Sequence, residues 1–463
     1  MDAAHVSTAV WEWNYPIVVV SKLRVLRLLA VAIMPFSSFL NLSYGQEPAT
    51  ETTETTQLAT PSTPTISLAE QIDRLLSSEL EPLGAAESEA GLLLRRLSLD
   101  LRGVVPTQDE LDAFATDASP EKWVTWVDRL LADPLCDEHL VMWLDRTLML
   151  RRSHVHVDRV AWINYLREQV AADVSLDELS KQLLCSPWWN NDQRPAQRFF
   201  LDRGGDPNLI ARDLGRVFLG RDIQCAQCHD HPLVDDFKQI DYHGLVAFVS
   251  PSSLTEVAYK DAEGKDQKTQ LYVERAAGDA PFESVFDKGV SFRTGPRFIE
   301  QPELFEEYQL PDARYLSEAP AGSLAGTIVP PRQSRRQALA DQLASRANRA
   351  FLTNWANRLW SLAFGRGLVQ PLDMHHPHNP ASHPELLRLI SDGLIETDLR
   401  PRKFLRELVL SQAYRRGGVA LLAHATESTS APGLDLIRTS ATENRAEAVG
   451  KKDALAAAET EAL

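Results

Sequence analysis

Along most of the chain, apolar residues recur every three or four positions, the spacing that gathers them on one face of a helix. Trp123, Val124, Val127, Leu130 and Leu131 form one such stripe, and Leu140, Trp143, Leu144 and Leu148 repeat it on the next segment. Leu209, Ile210, Leu214, Val217 and Phe218 make a third. It opens at Asp206-Pro207 and stops at Gly220, a residue suited to a left-handed helix end. Residues 338–364 read as one or two helices with Leu339, Leu343, Phe351, Trp355, Leu359 and Trp360, and a last pair runs over about 382–396 and 401–414. The helix starts carry capping chemistry. Thr107 to Glu110, Ser175 to Glu178 and Ser382 to Glu385 each fit the S/T-x-x-E box. Ser119-Pro120 sets a cap before a first-turn proline.

The pattern changes over 250–333, where Gly, Pro and charge dominate and only 254–259 and 269–275 read as short strands. The fold class that follows is mainly α: two helical lobes joined by an irregular connector with a small β-hairpin. The expected divisions are an N-terminal signal or anchor (1–45), a linker (46–67), a first helical domain (68–250), the connector (251–334), a second helical domain (335–416) and a tail (417–463). The linker is rich in Thr, Pro and Glu and the tail in Ala, Glu, Thr and Ser. Neither offers enough apolar area to offset its chain entropy, so both read as disordered.

Near the N-terminus, Lys22, Arg24 and Arg27 precede the uncharged apolar run Leu28 to Leu42, and Ser43-Tyr44-Gly45 follows. Basic, apolar, small is the order of an export signal cleaved near Gln46; the competing reading is an uncleaved membrane anchor. The body of the protein is then expected in the periplasm or outside the cell. With 48 Lys plus Arg against 64 Asp plus Glu, the net charge of -16 argues against nucleic acid as a partner. Four cysteines in 463 residues are too few for a disulfide scaffold.

Two of those cysteines carry the sharpest chemical signal, Cys225-Ala226-Gln227-Cys228-His229. C-x-x-C-H is the attachment pattern of c-type haem. Two thiols three positions apart reach the two vinyl groups of one porphyrin, and the adjacent imidazole turns onto the iron. A haem also calls for an apolar cleft beside the turn. Zinc is the alternative cofactor, held by Cys225, Cys228 and nitrogens from His229, His231 or His243; a thiol pair is a third reading. For the far side of the iron, Met374, His375 and His376 in the segment DMHHPHNP are the candidates, against a plain polar loop. Met142 and Met149 sit in a helical stripe and read as core, and His383 as part of a helix start. A zinc hydrolase would need Asp230 or Asp241 as base.

At these residues the chain resembles a known family. CAQCHDHP (225–232), Asp241-Tyr242, RRLSLDLRGVVPT (95–107) and WVDRLLADP (126–134) are similar to the planctomycete cytochrome-c-like secreted proteins, domain of unknown function 1549. NRLWSLAFGRGLVQPLD (357–373), NPASHPELL (379–387) and LVLSQAYRR (408–416) resemble its usual partner, domain of unknown function 1553, here shortened. Leu233, Phe237 and His243 depart from the family's aromatic pattern. The resemblance implies an exported protein with a haem; the leading function, from the C-x-x-C-H motif, is one-electron transfer with a periplasmic redox partner. A metal-stabilised extracellular module without redox activity is the alternative. Arg95-Arg96, Asn357-Arg358 and Trp188-Trp189 read as structural.

Overall fold

A computed structural model describes residues 66–80, 89–190, 192–261, 263–276, 280–286, 288–324 and 328–416. The segment expected to be an export signal or anchor, most of the expected linker and the expected tail lie outside the described residues. The first lobe runs α1 (Leu68–Leu80), α2 (Ala90–Arg102), α3 (Gln108–Thr116), α4 (Lys122–Leu131), α5 (Pro134–Met149), α6 (Arg159–Ala171), α7 (Leu176–Cys185), α8 (Arg198–Leu201), α9 (Pro207–Leu214) and α10 (Gln239–Val249). A π-helical turn, Gly215–Leu219, prolongs α9, and a 3-10 turn, Gln224–Gln227, carries the cysteine motif. The connector folds as two antiparallel hairpins, β1 (Ser252–Lys260) with β2 (Asp266–Glu274) and β3 (Ala280–Glu283) with β4 (Ser291–Thr294). The second lobe is α11 (Arg335–Leu343), α12 (Arg349–Phe364), α13 (Pro384–Glu396), α14 (Pro401–Leu410) and α15 (Gln412–Arg415). The protein is mainly α, as the hydrophobic spacing requires. None of the described helices is long and apolar enough to cross a membrane.

The two lobes share one core. Buried apolar side chains from Leu68 to Tyr414 form a single connected cluster. Polar bonds stitch its edges: Trp123 Nε1 donates to the Val409 carbonyl (3.0 Å), Tyr414 O–H to Asp100 (2.7 Å), and Arg402 to both Asp137 and the Leu131 carbonyl. Met149 is core and Met142 packs against it. Trp188 anchors its loop in a small second cluster with Val257, Leu271 and Val273 of the first hairpin. Arg96 donates to the Tyr414 carbonyl and lies over that ring, a structural role.

The caps follow the sequence unevenly. Thr107 and Glu110 complete their box reciprocally, and Asp206 caps α9. Ser175 stands at the start of α7 without a cap bond, because its hydroxyl serves the Asp177 carboxylate instead. The box expected at Ser382 fails because α13 begins at Pro384, with His383 at the cap position. Ser119-Pro120 falls in the turn before α4, which starts at Lys122.

Asp213 at the end of α9 is fully buried and receives three arginines. Arg203 Nε lies 2.8 Å away, Arg212 Nε 2.8 Å and Arg152 Nη2 3.0 Å. Burial alone would raise its carboxyl; Arg203 and Arg212 more than offset that and hold it below the usual range. Asp213→Asn leaves Arg203 buried without its counter-charge and should cost about 3–5 kcal/mol in urea unfolding.

Glu110 shows the same chemistry nearer the surface. The Arg102 guanidinium grips both its oxygens (2.8 and 3.0 Å) and, with Thr107, holds its carboxyl at about 2 against an ordinary 4.5. A depressed folded-state value means stability that is present above about pH 4.5 and is lost as the pH falls toward about 2. Glu110→Gln should remove that part of the acid limb in a plot of unfolding free energy against pH.

Candidate functional site: the Cys225–His229 loop

The loop is built from α9 outward. Over Gly215–Leu219 the helix widens to a π turn, and the Arg221 N–H closes back on the Gly215 carbonyl (2.9 Å). Gly215 admits that closure because a Cβ there would stand 2.6 Å from the Arg221 oxygen. Gly220 ends the turn at φ +66°, and a Cβ on it would meet His375 Cδ2 at 2.7 Å and Asn354 Oδ1 at 2.8 Å.

Past Gly220 the chain pairs with the second lobe. Arg221 bridges antiparallel to Met374, His375 N–H donates to the Gly220 carbonyl (2.9 Å) and Asp222 N–H to the Asp373 carbonyl (2.8 Å). The two segments singled out in the sequence, C-x-x-C-H and DMHHPH, are therefore brought together through the strand that leads into the loop. Arg216 braces the same place, donating to Asp222 (2.5 Å) and to Gln224 Oε1 (3.0 Å). Asp222 in turn accepts the Gln224 N–H and starts the 3-10 turn. Buried Arg358 donates to the Arg216 carbonyl (2.7 Å) and to Asn354 Oδ1. Burial lowers its guanidinium to about 10. It is a brace rather than an anion site.

On the turn, Cys225 and Cys228 are exposed free thiols, while Ala226 between them is fully buried and pins the loop to the core. His229 Nδ1 lies 2.6 Å from its neighbour's carbonyl, Asp230 O. A carbonyl can only accept, so Nδ1 carries the proton and the neutral ring keeps its lone pair on Nε2. The carbonyls of the loop are held from behind. Gln227 O accepts from His243 Nε2 (3.1 Å) and Gln239 Nε2 (3.3 Å), and Gln239 also reaches Glu283 O. The Val285 N–H donates to Cys228 O (3.1 Å). His243 stacks on Phe282 of β3 at 4.3 Å, and Phe286 lies 5.3 Å from the His229 ring.

The other candidates have assignable duties. His231 Nδ1 accepts the Leu233 and Val234 N–H groups, so its lone pair caps a turn. His243 uses its N–H to hold Gln227, and burial lowers its pKa. His375 Nε2 accepts from Asn357 Nδ2 (3.3 Å), an amide whose orientation is fixed by paired bonds to Val369. Burial, helped by Arg358 and Arg221, lowers His375 to about 4. His376 packs against Phe237 and leaves its buried Nδ1 without a hydrogen-bond partner. Met374 is half-buried in the ladder. Asp230 accepts the Gln239 N–H (2.8 Å), and Asp241 pairs with Arg297 (3.0 Å) and accepts the Glu300 N–H; neither stands free as a base. Among the described residues no three His, Cys, Asp or Glu side chains are grouped to share a metal ion. The apolar cleft expected beside the turn is not the one that opens here: a cleft of about 480 Å³, floored by Leu219, Phe298 and Ile299, opens at Arg221 and does not include the two cysteines, which stand exposed on the surface.

The bracing residues Arg216, Gln239 and Phe286 carry no sequence signal of their own, since each reaches the loop from elsewhere in the chain. Gly220 did announce itself. Gly220→Ala combines a left-handed backbone with two close contacts and should cost about 2 kcal/mol or more in unfolding free energy.

Comparison with known families agrees with this layout. Residues 71–253 match the model of a protein of unknown function, DUF1549 (PSCyt2), and residues 335–459 that of a second, DUF1553 (PSD1). The second match runs past residue 416, where the sequence pattern ended the helical domain. No curated protein and no solved structure matches the chain. The first model spans the braced loop and the second spans the segment that pairs with it, and the chain belongs to the family in which a PSCyt2 domain is followed by a PSD1 domain.

Proposed function

We propose that the chain is an exported haem protein that carries single electrons, with thioether bonds at Cys225 and Cys228 and His229 Nε2 as iron ligand. One observation carries this reading. Two exposed free thiols flank a buried anchor residue, next to an imidazole whose Nδ1–H is committed to a carbonyl. Metal-ligating histidines donate their other N–H in this way, which fixes the ring and keeps the ligating nitrogen bare. The donor set suits haem better than four-coordinate zinc, since haem asks only for two thiols and one imidazole from this loop. When bound, haem supplies an iron that cycles between two oxidation states.

The chain's own residues orient the site. His243 and Gln239 hold the loop carbonyls, Arg216 and Asp222 hold its entry, and the ladder to 373–375 ties it to the second lobe. In the paired segment the His375 lone pair is taken by Asn357, so a second iron ligand would come from His376, whose unpartnered Nδ1 is buried and would have to be uncovered. The basic-then-apolar stretch at 22–42 supports export, where such attachment takes place, and the redox partner is then another protein of that compartment.

Full-length chain made in a host with haem-attachment machinery should show a Soret band, retain haem stain on a denaturing gel and gain the mass of one haem. Cys225→Ser with Cys228→Ser should abolish the retained stain. Wild-type protein without a Soret band, carrying one zinc whose chelation lowers the Tm, would overturn the reading in favour of a metal-stabilised module.

A further inference from the structure

Resting on the haem reading, we infer that Phe286 and Val285, at the end of β3, form the apolar wall of the cofactor on its His229 side. Phe286 is 77 % exposed and Val285 49 % exposed, yet this is no loose surface segment. The Val285 N–H is bonded to the carbonyl of Cys228, the second attachment residue. Gln239 Nε2, on α10, donates both to Glu283 O and to the loop's Gln227 O. Phe282 is clamped between His243 of α10 (4.3 Å) and Phe292 of its own hairpin (5.6 Å). The hairpin is thus joined to the loop directly through Val285 and indirectly through Gln239 and His243, and the residues it delivers there are apolar.

Proximity to the proposed ligand decides the assignment. Phe286 stands 5.3 Å from the His229 ring, with the two planes 48° apart. A ring this close to the imidazole lies within reach of a group bound to it. The exposed apolar surface of Phe286 and Val285 then has a specific occupant, a porphyrin edge held by Cys225 and Cys228. The chemistry it performs is exclusion of water. A shell that keeps water from the ligand and the macrocycle destabilises the more positively charged oxidised iron and raises the reduction potential.

The test is spectroelectrochemical titration of wild type, Phe286→Ala, Phe286→Leu and Phe305→Ala, all first checked for covalent haem by gel stain. Phe305 is also exposed, at 89 %, and has no bond to the loop. Phe286→Ala should shift the reduction equilibrium toward the oxidised form about tenfold, about 59 mV for one electron. Phe286→Leu should stay near wild type and Phe305→Ala should not move. Equal potentials in wild type and Phe286→Ala, or an equal shift in Phe305→Ala, would overturn the assignment while leaving the haem reading intact. Should Phe286→Ala fail to fold, Phe286→Ser and Phe286→Leu decide it, with Ser expected to follow Ala. Absence of stained haem from wild type itself refutes the underlying reading and this one with it.

Discussion

The Cys225–His229 loop hangs from a short antiparallel ladder, Gly220–Asp222 against Asp373–His375. A turn with two exposed thiols has little burial of its own to fix it; only Ala226 reaches the core. Backbone bonds to a second segment replace that missing burial, and they require both sides of the ladder to be rigid. On one side the π turn at Gly215–Leu219 supplies rigidity, closed by two glycines that allow a backbone approach no other residue permits. On the other, Asn357 fixes His375 and Val369 through its amide. One side of the ladder lies in the PSCyt2 match and the other in the PSD1 match, so the loop of the first is held in place by the second.

How far the sequence could be read depends on the range of the forces involved. Helices are local, and the stripes at 123–131 and 209–218 and the box at Thr107 emerge where hydrophobic spacing and capping place them. Ser175 departed because its hydroxyl serves the Asp177 carboxylate, and Ser382 because α13 begins at Pro384 with His383 at the cap position. The grouping of Cys225, Cys228 and His229 was legible because they are adjacent in the chain. The residues that brace them were not. Arg216, Gln239, Val285 and Phe286 reach the loop from α9, α10 and the second hairpin, and tertiary approach of that kind leaves no spacing to read.

The charge distribution shows the same division between what the outside and the inside require. The chain is acidic, at -16, yet its interior is held by arginines: Arg102, Arg198, Arg203, Arg335, Arg336 and Arg358 are all buried. Each has several fixed donors, and most spend them on backbone carbonyls at helix ends as well as on carboxylates. A guanidinium keeps its charge and its planar fork when buried, so it can satisfy several carbonyls that no water reaches. Arg358 of the Asn-Arg pair belongs to this pattern, whereas Arg95 is exposed and Arg96 half-buried against Tyr414.

The histidines around the loop can be sorted by proton bookkeeping alone. A carbonyl opposite a ring nitrogen forces that nitrogen to donate, and a backbone N–H opposite it forces it to accept. His231 accepts twice at Nδ1, so its proton sits on Nε2. His375 accepts at Nε2 from an amide whose orientation Val369 fixes, and burial keeps it neutral near pH 7. His243 donates from Nε2 to hold Gln227 in place. His229 donates from Nδ1, and its Nε2 is left bare beside two exposed thiols. The backbone and amide groups facing these four histidines thus assign each ring its proton, and only at His229 does the bare nitrogen stand next to the two exposed thiols.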